Sequence, residues 1–385
     1  MLQTGDLKMH STRNMSAHLV FALSLIVLGW LAVPARAAEK RAFRMGFTPF
    51  VYDQTPEAVA DMQKFLAENA DIVAVHLESV PWTEALADKP FDPKMMEDWE
   101  GRKKAIGPGE KVYLAVSPIN MMRAGMAEYR GAAERMPIPP EFQGKAFDDP
   151  IIKKAYLNYC KRAAEYFKPD YLSVGIEVNE LFHNGRAQWA GYVELHKFVY
   201  QALKKEHPKL PIFTSFTLHN MINPGWQDRA EMLVAYKGLM KYGDLVAVSF
   251  YPFMAGVATP AQVDNALAWL TANFDALHKP YAVAETGDAA EKLTFKMGAQ
   301  DITIPGSPEV QATYYEKLLA LAQARKFQFV ITFLYRDYDA LWEKIKDSSP
   351  AFFIAWRDCG LVDEKGNKRP AYLVWRKFFD MPVGR

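Results

Sequence analysis

The chain lacks the sequence features that would mark a disulfide-rich, zinc-binding or nucleic-acid-binding protein. Cys160 and Cys359 are its only cysteines in 385 residues, so no disulfide framework is expected, although an exported protein could join these two if they lie close. No C-x-x-C or H-x-H pair occurs, and we expect no metal and no other cofactor. Lys and Arg are scattered and the formal net charge is +1, which argues against a nucleic-acid partner.

The sequence also lacks features that would divide it into several domains. It shows no internal repeat, no low-complexity tract and no linker rich in Pro, Gly or Ser. Half of the residues are apolar and 13% are aromatic, which is enough for one large core. A single folded domain is therefore the expected organisation.

The N-terminal region has the pattern of a secretory signal peptide. An apolar run, Leu19–Val33, is followed by small residues at Ala35 and Ala37, so cleavage is predicted after Ala37. The rival interpretation is a membrane anchor, but a span needs about 20 apolar residues, and this run is shorter and ends at Pro34. We expect residues 1–37 to be removed and residues 38–385 to form a secreted or periplasmic domain that is not inserted in a membrane.

The remaining sequence alternates short apolar runs with longer amphipathic stretches. The predicted strands are Phe43–Thr48, Ile72–Leu77, Val112–Val116, Tyr171–Ile176, Ile212–Phe216, Leu245–Phe250, Tyr281–Ala284 and Phe329–Leu334. The predicted helices are Pro56–Asn69, Asp92–Ile106, Asp149–Phe167, Trp189–Glu206, Asp228–Tyr242, Pro260–His278, Pro308–Lys326 and Arg369–Phe379. Eight strand–helix units predict an α/β fold, a (β/α)8 TIM barrel. The competing open doubly wound sheet is disfavoured because no G-x-G-x-x-G follows the first strand.

Two peptides place carboxylates where predicted strands end. They are Gly175–Glu180, after the fourth strand, and Ala282–Gly287, at the seventh. Burying an ionisable group is costly unless the group is paired or used, and the working residues of this fold lie at the C-terminal ends of its strands. A pair of carboxylates that face one cleft is what hydrolysis of a glycosidic bond requires.

Other strand ends carry polar and aromatic residues that suit a carbohydrate ligand. Amides and hydroxyls can bind ring oxygens, and aromatic faces can pack against the apolar side of a sugar. The candidate substrate-binding residues are Glu78, Trp82, Asn179, His219, Tyr251, Tyr335 and Trp356.

These residues resemble those of a known group of enzymes. Asn179-Glu180 after the fourth strand and Glu285 after the seventh resemble the retaining glycoside hydrolases of the large (β/α)8 clan. Ser249–Phe253 is similar to the sixth-strand motif of the endo-β-1,4-galactanase family, and Gly360–Asn367 with Arg369–Tyr372 resembles the closing segment of such barrels. The resemblance covers about Phe43 to Phe379.

The resemblance implies a role for each matching residue. Glu180 would be the general acid/base and Glu285 the nucleophile, with the two carboxyl groups about 5–5.5 Å apart. Asn179 would hydrogen-bond the 2-hydroxyl of the sugar, and Tyr251 would keep Glu285 ionised. Glu180 would need a raised pKa, from its apolar surroundings and from the charge of Glu285.

The sequence departs from this pattern at two strands. Members of the clan often have an Arg at or near the end of the second strand, where this chain has His76 and Glu78. The eighth strand usually supplies a Trp to the sugar, whereas this one ends at Tyr335, so Trp342 or Trp356 could take its place.

Several alternatives stay open from the sequence alone. Glu177, three residues before Glu180, could be the acid, or the carboxylates could be rim residues paired with Arg123 or Arg336. The barrel could also be a catalytically silent carbohydrate-binding or cell-envelope protein, because a fold does not determine function. A metal-dependent barrel hydrolase is a third possibility, against which the absence of H-x-H argues.

Overall fold

The structure is a computed structural model that describes residues 39–384. The predicted signal peptide, residues 1–37, lies outside this part of the chain. Within the described residues, no helix has both the length and the apolar character needed to cross a membrane.

A parallel sheet closed into a barrel is the centre of the fold. The strands are β1 (Arg44–Phe47), β2 (Ile72–Leu77), β3 (Lys111–Val116), β4 (Tyr171–Ser173), β5 (Ile212–Phe213), β6 (Ser215–Thr217), β7 (Val246–Phe250), β8 (Tyr281–Thr286), β9 (Lys292–Met297), β10 (Gln300–Pro305) and β11 (Phe329–Thr332). Nine of them form one sheet in the order β5-β4-β3-β2-β1-β11-β8-β7-β6. Only Thr214 separates β5 from β6, so these are two halves of one broken strand that closes a ring of eight. The predicted (β/α)8 barrel is confirmed.

Helices follow the strands around the barrel. They are α1 (Pro56–Asn69), α2 (Trp82–Ala87), α3 (Pro93–Lys104), α4 (Pro150–Phe167), α5 (Asn179–Asn184), α6 (Trp189–Glu206), α7 (Leu218–Ile222), α8 (Arg229–Leu239), α9 (Pro260–Phe274), α10 (Pro308–Arg325), α11 (Asp339–Ile345) and α12 (Pro370–Phe379). Five of the longer ones begin with a capping side chain followed by proline, a combination that fixes a helix start. The caps are Thr55, Asp92, Asp149, Thr259 and Ser307.

The two faces of the strands form separate cores, as the alternation of side chains along a barrel strand requires. The interior is filled by Ile72, Ala74, Tyr113, Ala115, Phe213, Ala247, Ala282, Ala284, Phe329 and Ile331. Outward-facing residues such as Val73 and Val75 join the larger core under the helices. Gly46 allows β1 and β2 to approach, because a Cβ there would lie 1.8 Å from the Ile72 carbonyl oxygen.

The structure adds elements that periodicity did not predict. The segment Asp288–Gly306, to which no strand or helix was assigned from the sequence, contains the antiparallel hairpin β9–β10. Leu293 and Phe295 of this hairpin pack against a cluster that includes the 3-10 helix Ala351–Trp356. The short helices α2, α5, α7 and α11 were also not predicted, because five to seven residues are too few to show a helical period.

Candidate active site

Glu285 owes its position in the barrel mouth to a bulge in β8. Val283 pairs with Val248 and Glu285 with Ser249, so β8 has one more residue than β7 in this interval. Ala284 already faces the interior, and strict alternation would turn Glu285 outward. The extra residue re-aims the side chain into the mouth, a common use of bulges beside functional sites.

Three groups determine the environment of the Glu285 carboxyl. The Tyr251 hydroxyl donates a hydrogen bond to Oε1, and Nδ1 of His76 lies 3.5 Å from Oε2. Burial and the charge of Glu177 raise the pKa of Glu285 to about 8, against the hydrogen bond from Tyr251. His76 is uncharged at neutral pH because burial lowers its pKa to about 4.

Glu180, the predicted acid/base, lies in the first turn of α5. Asn220 Nδ2 donates a hydrogen bond of 2.7 Å to its Oε1. Burial is the main reason why the pKa of Glu180 is raised to about 8, and the charge of Glu177 adds to it. A carboxyl that is still protonated at neutral pH can act as a general acid.

Glu177 is a third carboxylate in the same region, paired with Arg123. Arg123 Nη2 and Nε lie 3.0 and 3.3 Å from Oε2 of Glu177. Arg123 Nη1 donates to Glu78 Oε2 at 2.8 Å, and this pair lowers the pKa of Glu78 although burial raises it. From the sequence, Arg123 and Arg336 were considered as possible partners of the catalytic carboxylates Glu180 and Glu285. In the structure, Arg123 binds Glu78 and Glu177, and Arg336 binds Asp61.

Asn179 does not lie where the resemblance predicted it, within reach of a sugar. Its side chain is fully buried; Oδ1 accepts from the Thr217 backbone N–H at 2.8 Å, and Nδ2 contacts Thr217 Oγ1 and Met232 Sδ. Asn179 thus ties α5 to β6 and α8 and is not available to the 2-hydroxyl of a sugar. The reason is that the chain has begun a helix here, where successive side chains point in different directions.

Trp82 and Tyr335 are also placed away from the barrel mouth. Trp82 has no exposed surface; its Nε1 donates to the Ala127 carbonyl at 2.9 Å. It packs beside Phe142 and Tyr156. Tyr335 is buried, donates to Asp61 at 3.1 Å and packs on Phe65. Both aromatic residues belong to the core between the helices and the barrel. Large aromatic side chains can fill core volume where a hydrogen-bond partner reaches their polar atom.

Tyr251, His219 and Trp356 do lie together near Glu285. His219 Nδ1 accepts the Tyr251 backbone N–H at 3.4 Å, and burial lowers the pKa of His219 to about 3, so it supports Tyr251 as an uncharged ring. The half-buried Trp356 meets Tyr251 edge to face, with ring centroids 5.7 Å apart. Trp356 therefore remains a candidate for contact with a sugar.

Arg123 and Asn220 belong to the site, but neither was among the predicted catalytic or substrate-binding residues; Arg123 was considered only as a possible partner of the carboxylates. Arg123 comes from the long segment between Asn120 and Asp148. This segment contains the 3-10 helix Pro140–Phe142 and isolated β-bridges, and it has no periodicity from which side-chain directions could be predicted. Asn220 directly follows the predicted site residue His219, and this position after the fifth predicted strand is the signal in the sequence that points to it.

Possible ligands for a metal lie elsewhere in the described residues. Two carboxylate clusters share Asp337: one adds Glu291 and Glu364, the other Asp339 and Asp358. Arg369 binds Asp337 and Glu291, and Arg357 binds Asp358, so these clusters already have cationic partners. Cys160 and Cys359 are both buried and free.

Comparison with protein-family models and with curated proteins finds no match. Solved structures are similar in fold. A GH53 catalytic domain from Ignisphaera aggregans is 18% identical, with a TM-score of 0.55, and the alignment covers 88% of this chain and 98% of that one. A GH5_18 protein from Bifidobacterium longum subsp. infantis is 12% identical, with a TM-score of 0.57 and coverage of 89% and 80%.

The exo-β-1,4-mannosidase Op5Man5 from Opitutaceae bacterium strain TAV5 is 13% identical, with a TM-score of 0.54. The alignment covers 89% of this chain but 60% of the mannosidase, so the chain spans less than two thirds of that protein. At these identities the comparisons show the fold, a (β/α)8 barrel that these glycoside hydrolases also have.

Proposed function

We propose that the protein is an exported glycoside hydrolase that cleaves β-glycosidic bonds of a poly- or oligosaccharide with retention of configuration. The observation that carries this proposal is the bulge that turns Glu285 toward the barrel mouth, where Tyr251 donates to its carboxyl. Glu177, from the segment after β4, lies close enough for its charge to raise the pKa of Glu285.

The proposed reaction has two displacements, which is the retaining mechanism of two-carboxylate glycosidases. Glu180 protonates the leaving oxygen while Glu285 attacks the anomeric carbon and forms a glycosyl ester. Glu180, now ionised, removes a proton from water, which attacks the ester and releases the sugar and Glu285. The raised pKa of Glu180 supports its role as acid. The pKa of Glu285 is raised to about 8 as well, so the reactive form is the one in which Glu285 has lost its proton and Glu180 has kept it. The hydrogen bond from Tyr251 favours the ionised form of Glu285.

The charges in the site favour a neutral sugar over a uronic acid. In the described part of the chain, Arg123 is the cation that contacts this group of carboxylates, and Glu78 and Glu177 already share it. A sugar carboxylate would therefore meet negative charge without a free cationic partner. Neutral β-mannosides and β-galactans are the first substrates to test, given the exo-β-1,4-mannosidase neighbour and the galactanase-like sixth-strand motif.

A substrate screen with matched variants tests this function. Wild-type protein should hydrolyse at least one member of a panel of β-mannans, β-galactans, β-glucans and aryl β-glycosides. Glu285→Gln and Glu180→Gln should lose most of that activity, and NMR should show the first-formed product with retained configuration. Binding of oligosaccharides in calorimetry without turnover of any substrate would instead support the silent carbohydrate-binding alternative.

Export forms a separate part of the proposal, because the predicted signal lies outside the described residues. N-terminal sequencing of the protein recovered from the periplasm or medium should begin at Ala38. An intact N-terminus in the cytoplasmic fraction would contradict export without touching the proposed chemistry.

A further inference from the structure

Two aromatic rings are stacked at the surface near Glu180, the proposed acid/base. The imidazole of His183 and the indole of Trp226 lie nearly parallel, with ring centroids 4.1 Å apart and 28° between the ring planes. The His183 side chain is 39% exposed, and Trp226 is half-buried. This pair, called the rim stack below, therefore presents aromatic surface to solvent.

The rim stack includes a residue of the same short helix as the proposed acid/base. His183 follows Glu180 by three positions in α5, and residues with this spacing lie on one face of a helix with their Cβ atoms about 5–6 Å apart. Exposure increases along this face, since Glu180 is half-buried and His183 is exposed. The rim stack thus lies about one helical turn from Glu180, in the direction of solvent.

The segment between β6 and α8 contacts α5 at both of these positions. Asn220 Nδ2 donates a hydrogen bond of 2.7 Å to Glu180 Oε1, and Trp226 covers the ring of His183. Asp228 Oδ1 is hydrogen-bonded to Nδ1 of His183 at 2.9 Å, which fixes the imidazole. One segment of the chain therefore holds the acid/base and the rim stack in a set relation.

The loop that carries Trp226 is itself held by hydrogen bonds. Asn223 Nδ2 donates to the Met254 carbonyl at 3.2 Å, which ties the loop to the segment after β7. The Trp226 backbone N–H donates to the Asn223 carbonyl at 3.1 Å, and Arg229 Nη1 donates to the Trp226 carbonyl at 3.1 Å. A binding surface that is ordered beforehand loses less conformational entropy when a ligand binds.

The segment after β3 adds an exposed apolar side chain to the same rim. Asn184, the neighbour of His183 in α5, donates from Nδ2 to the Met122 carbonyl at 3.3 Å, and Met122 is 54% exposed. Aromatic and apolar surface with a few polar groups at its edge is typical of ligand sites. A sugar suits such a surface, because its apolar face can pack on a ring while its hydroxyls bond to the polar groups.

We propose that the rim stack binds the sugar on the leaving-group side of the scissile bond. This inference rests on the proposed function, in which Glu180 protonates the oxygen of that leaving group. A sugar linked through this oxygen extends past Glu180, and the rim stack offers aromatic surface one helical turn beyond it. The preferred substrate is then an oligosaccharide or polysaccharide, in which the leaving group is itself a sugar.

Two substrates that differ only in the leaving group test this assignment. One is a β-1,4-linked tetrasaccharide of the hydrolysed sugar, and the other is the glycosyl fluoride, whose leaving group is too small to reach the rim stack. In Trp226→Ala, the ratio of kcat/KM for the tetrasaccharide to kcat/KM for the fluoride should fall about fivefold or more, as expected for a lost aromatic contact. His183→Ala should lower the ratio as well, and Trp226→Phe, which keeps an aromatic face, should lower it less.

Trp269→Ala is the matched control. Trp269 is also a half-buried tryptophan, but it lies on α9 and packs against Phe274, so the ratio should keep its wild-type value. An unchanged ratio in Trp226→Ala, with equal losses on both substrates, would show that the rim stack is only structural and would overturn the inference. If Trp226→Ala does not fold, His183→Ala and Trp226→Phe give the same test.

Binding provides a second readout that needs no turnover. Tetrasaccharides of β-1,4-linked mannose, galactose and glucose are titrated into isotope-labelled Glu285→Gln, and NMR follows the indole N–H signals of Trp226 and Trp269. At least one tetrasaccharide should shift the Trp226 signal and leave the Trp269 signal in place. Binding that leaves the Trp226 signal unmoved, or no binding of any tetrasaccharide, would overturn the inference.

The two readouts separate failure of this inference from failure of the proposed function. A tetrasaccharide that shifts the Trp226 signal but is not hydrolysed by the wild-type protein would refute the proposed hydrolase, while the rim stack would still be a sugar site. Hydrolysis of the tetrasaccharide with an unchanged ratio in Trp226→Ala would leave the hydrolase standing and refute the rim stack as its binding site.

Discussion

The Tyr251 hydroxyl donates a hydrogen bond to Glu285 from the end of the neighbouring barrel strand. This hydrogen bond favours the ionised carboxylate, the form that a nucleophile needs. Tyr251→Phe should therefore raise the pKa of Glu285 and lower kcat/KM by about 10- to 100-fold, the effect of one hydrogen bond to a charged group. The acidic limb of the pH profile should move to higher pH.

Tyr281→Phe is a matched control for this variant. Tyr281 also donates to a carboxylate, Asp275, but outside the barrel mouth, at 2.9 Å. It should leave kcat/KM unchanged, and an equal loss in both variants would show that the effect of Tyr251 is not specific to the site.

The raised pKa values of Glu180 and Glu285 should make stability depend on pH. Both rise from 4.5 to about 8 in the folded protein, so the folded state holds more protons than the unfolded state between these values. The free energy of unfolding should consequently fall as pH increases from about 4.5 to about 8.

Chemical denaturation at several pH values tests this dependence. Glu180→Gln and Glu285→Gln remove the ionisable groups, so each should unfold at higher denaturant concentration than wild type at pH 8 to 9, and the difference should shrink towards pH 4.5. Variants that are less stable than wild type at high pH would contradict the burial of these carboxyls.

Asn179 should matter for stability and not for substrate binding. Asn179→Ala leaves the Thr217 backbone N–H without its partner, and an unsatisfied buried donor costs about 1–3 kcal/mol of unfolding free energy. KM should not change in the variant that remains folded. Asn220→Ala is the contrasting variant, because Asn220 donates to Glu180, and it should alter the pH profile of activity.

Trp356 and Trp82 should respond differently to the same substitution. Trp356 lies beside Tyr251 and Phe253 near the barrel mouth, so Trp356→Ala should raise KM by about fivefold or more, as expected for a lost aromatic contact of about 1 kcal/mol. Trp82 is a core residue, so Trp82→Ala should lower the free energy of unfolding by about 3–5 kcal/mol. Steady-state kinetics and urea unfolding of both variants distinguish the two roles.

The positions of the barrel strands could be predicted from sequence because strands buried on both faces are continuous apolar runs. These positions located Glu285 and the Gly175–Glu180 segment. The strand ends were less exact: β4 ends at Ser173 instead of Ile176, and β8 ends at Thr286 instead of Ala284. Side-chain directions within that segment could not be predicted, because the chain turns at the left-handed Glu177 and starts α5 at Asn179. Asn179 and Glu180 were expected to act together, yet adjacent residues of a helix face different ways.

Two other features depend on tertiary structure that local pattern does not encode. The bulge in β8 depends on the register against β7 and β11, and only that register shows that Glu285 turns inward. Arg123 reaches Glu78 and Glu177 from a long irregular segment, 45 and 54 positions away in the chain. Trp82 and Tyr335 were assigned to the site by their closeness to strand ends, but packing requirements placed them in the core.

Azide rescue tests the central claim, that Glu285 is the nucleophile and Glu180 the acid/base of a retaining hydrolase. With an activated aryl glycoside of the hydrolysed sugar, Glu285→Gly should regain activity in azide and form the glycosyl azide of inverted configuration. Glu180→Ala should form the glycosyl azide of retained configuration. Absence of rescue in both variants, or the same product configuration from both, would contradict the account.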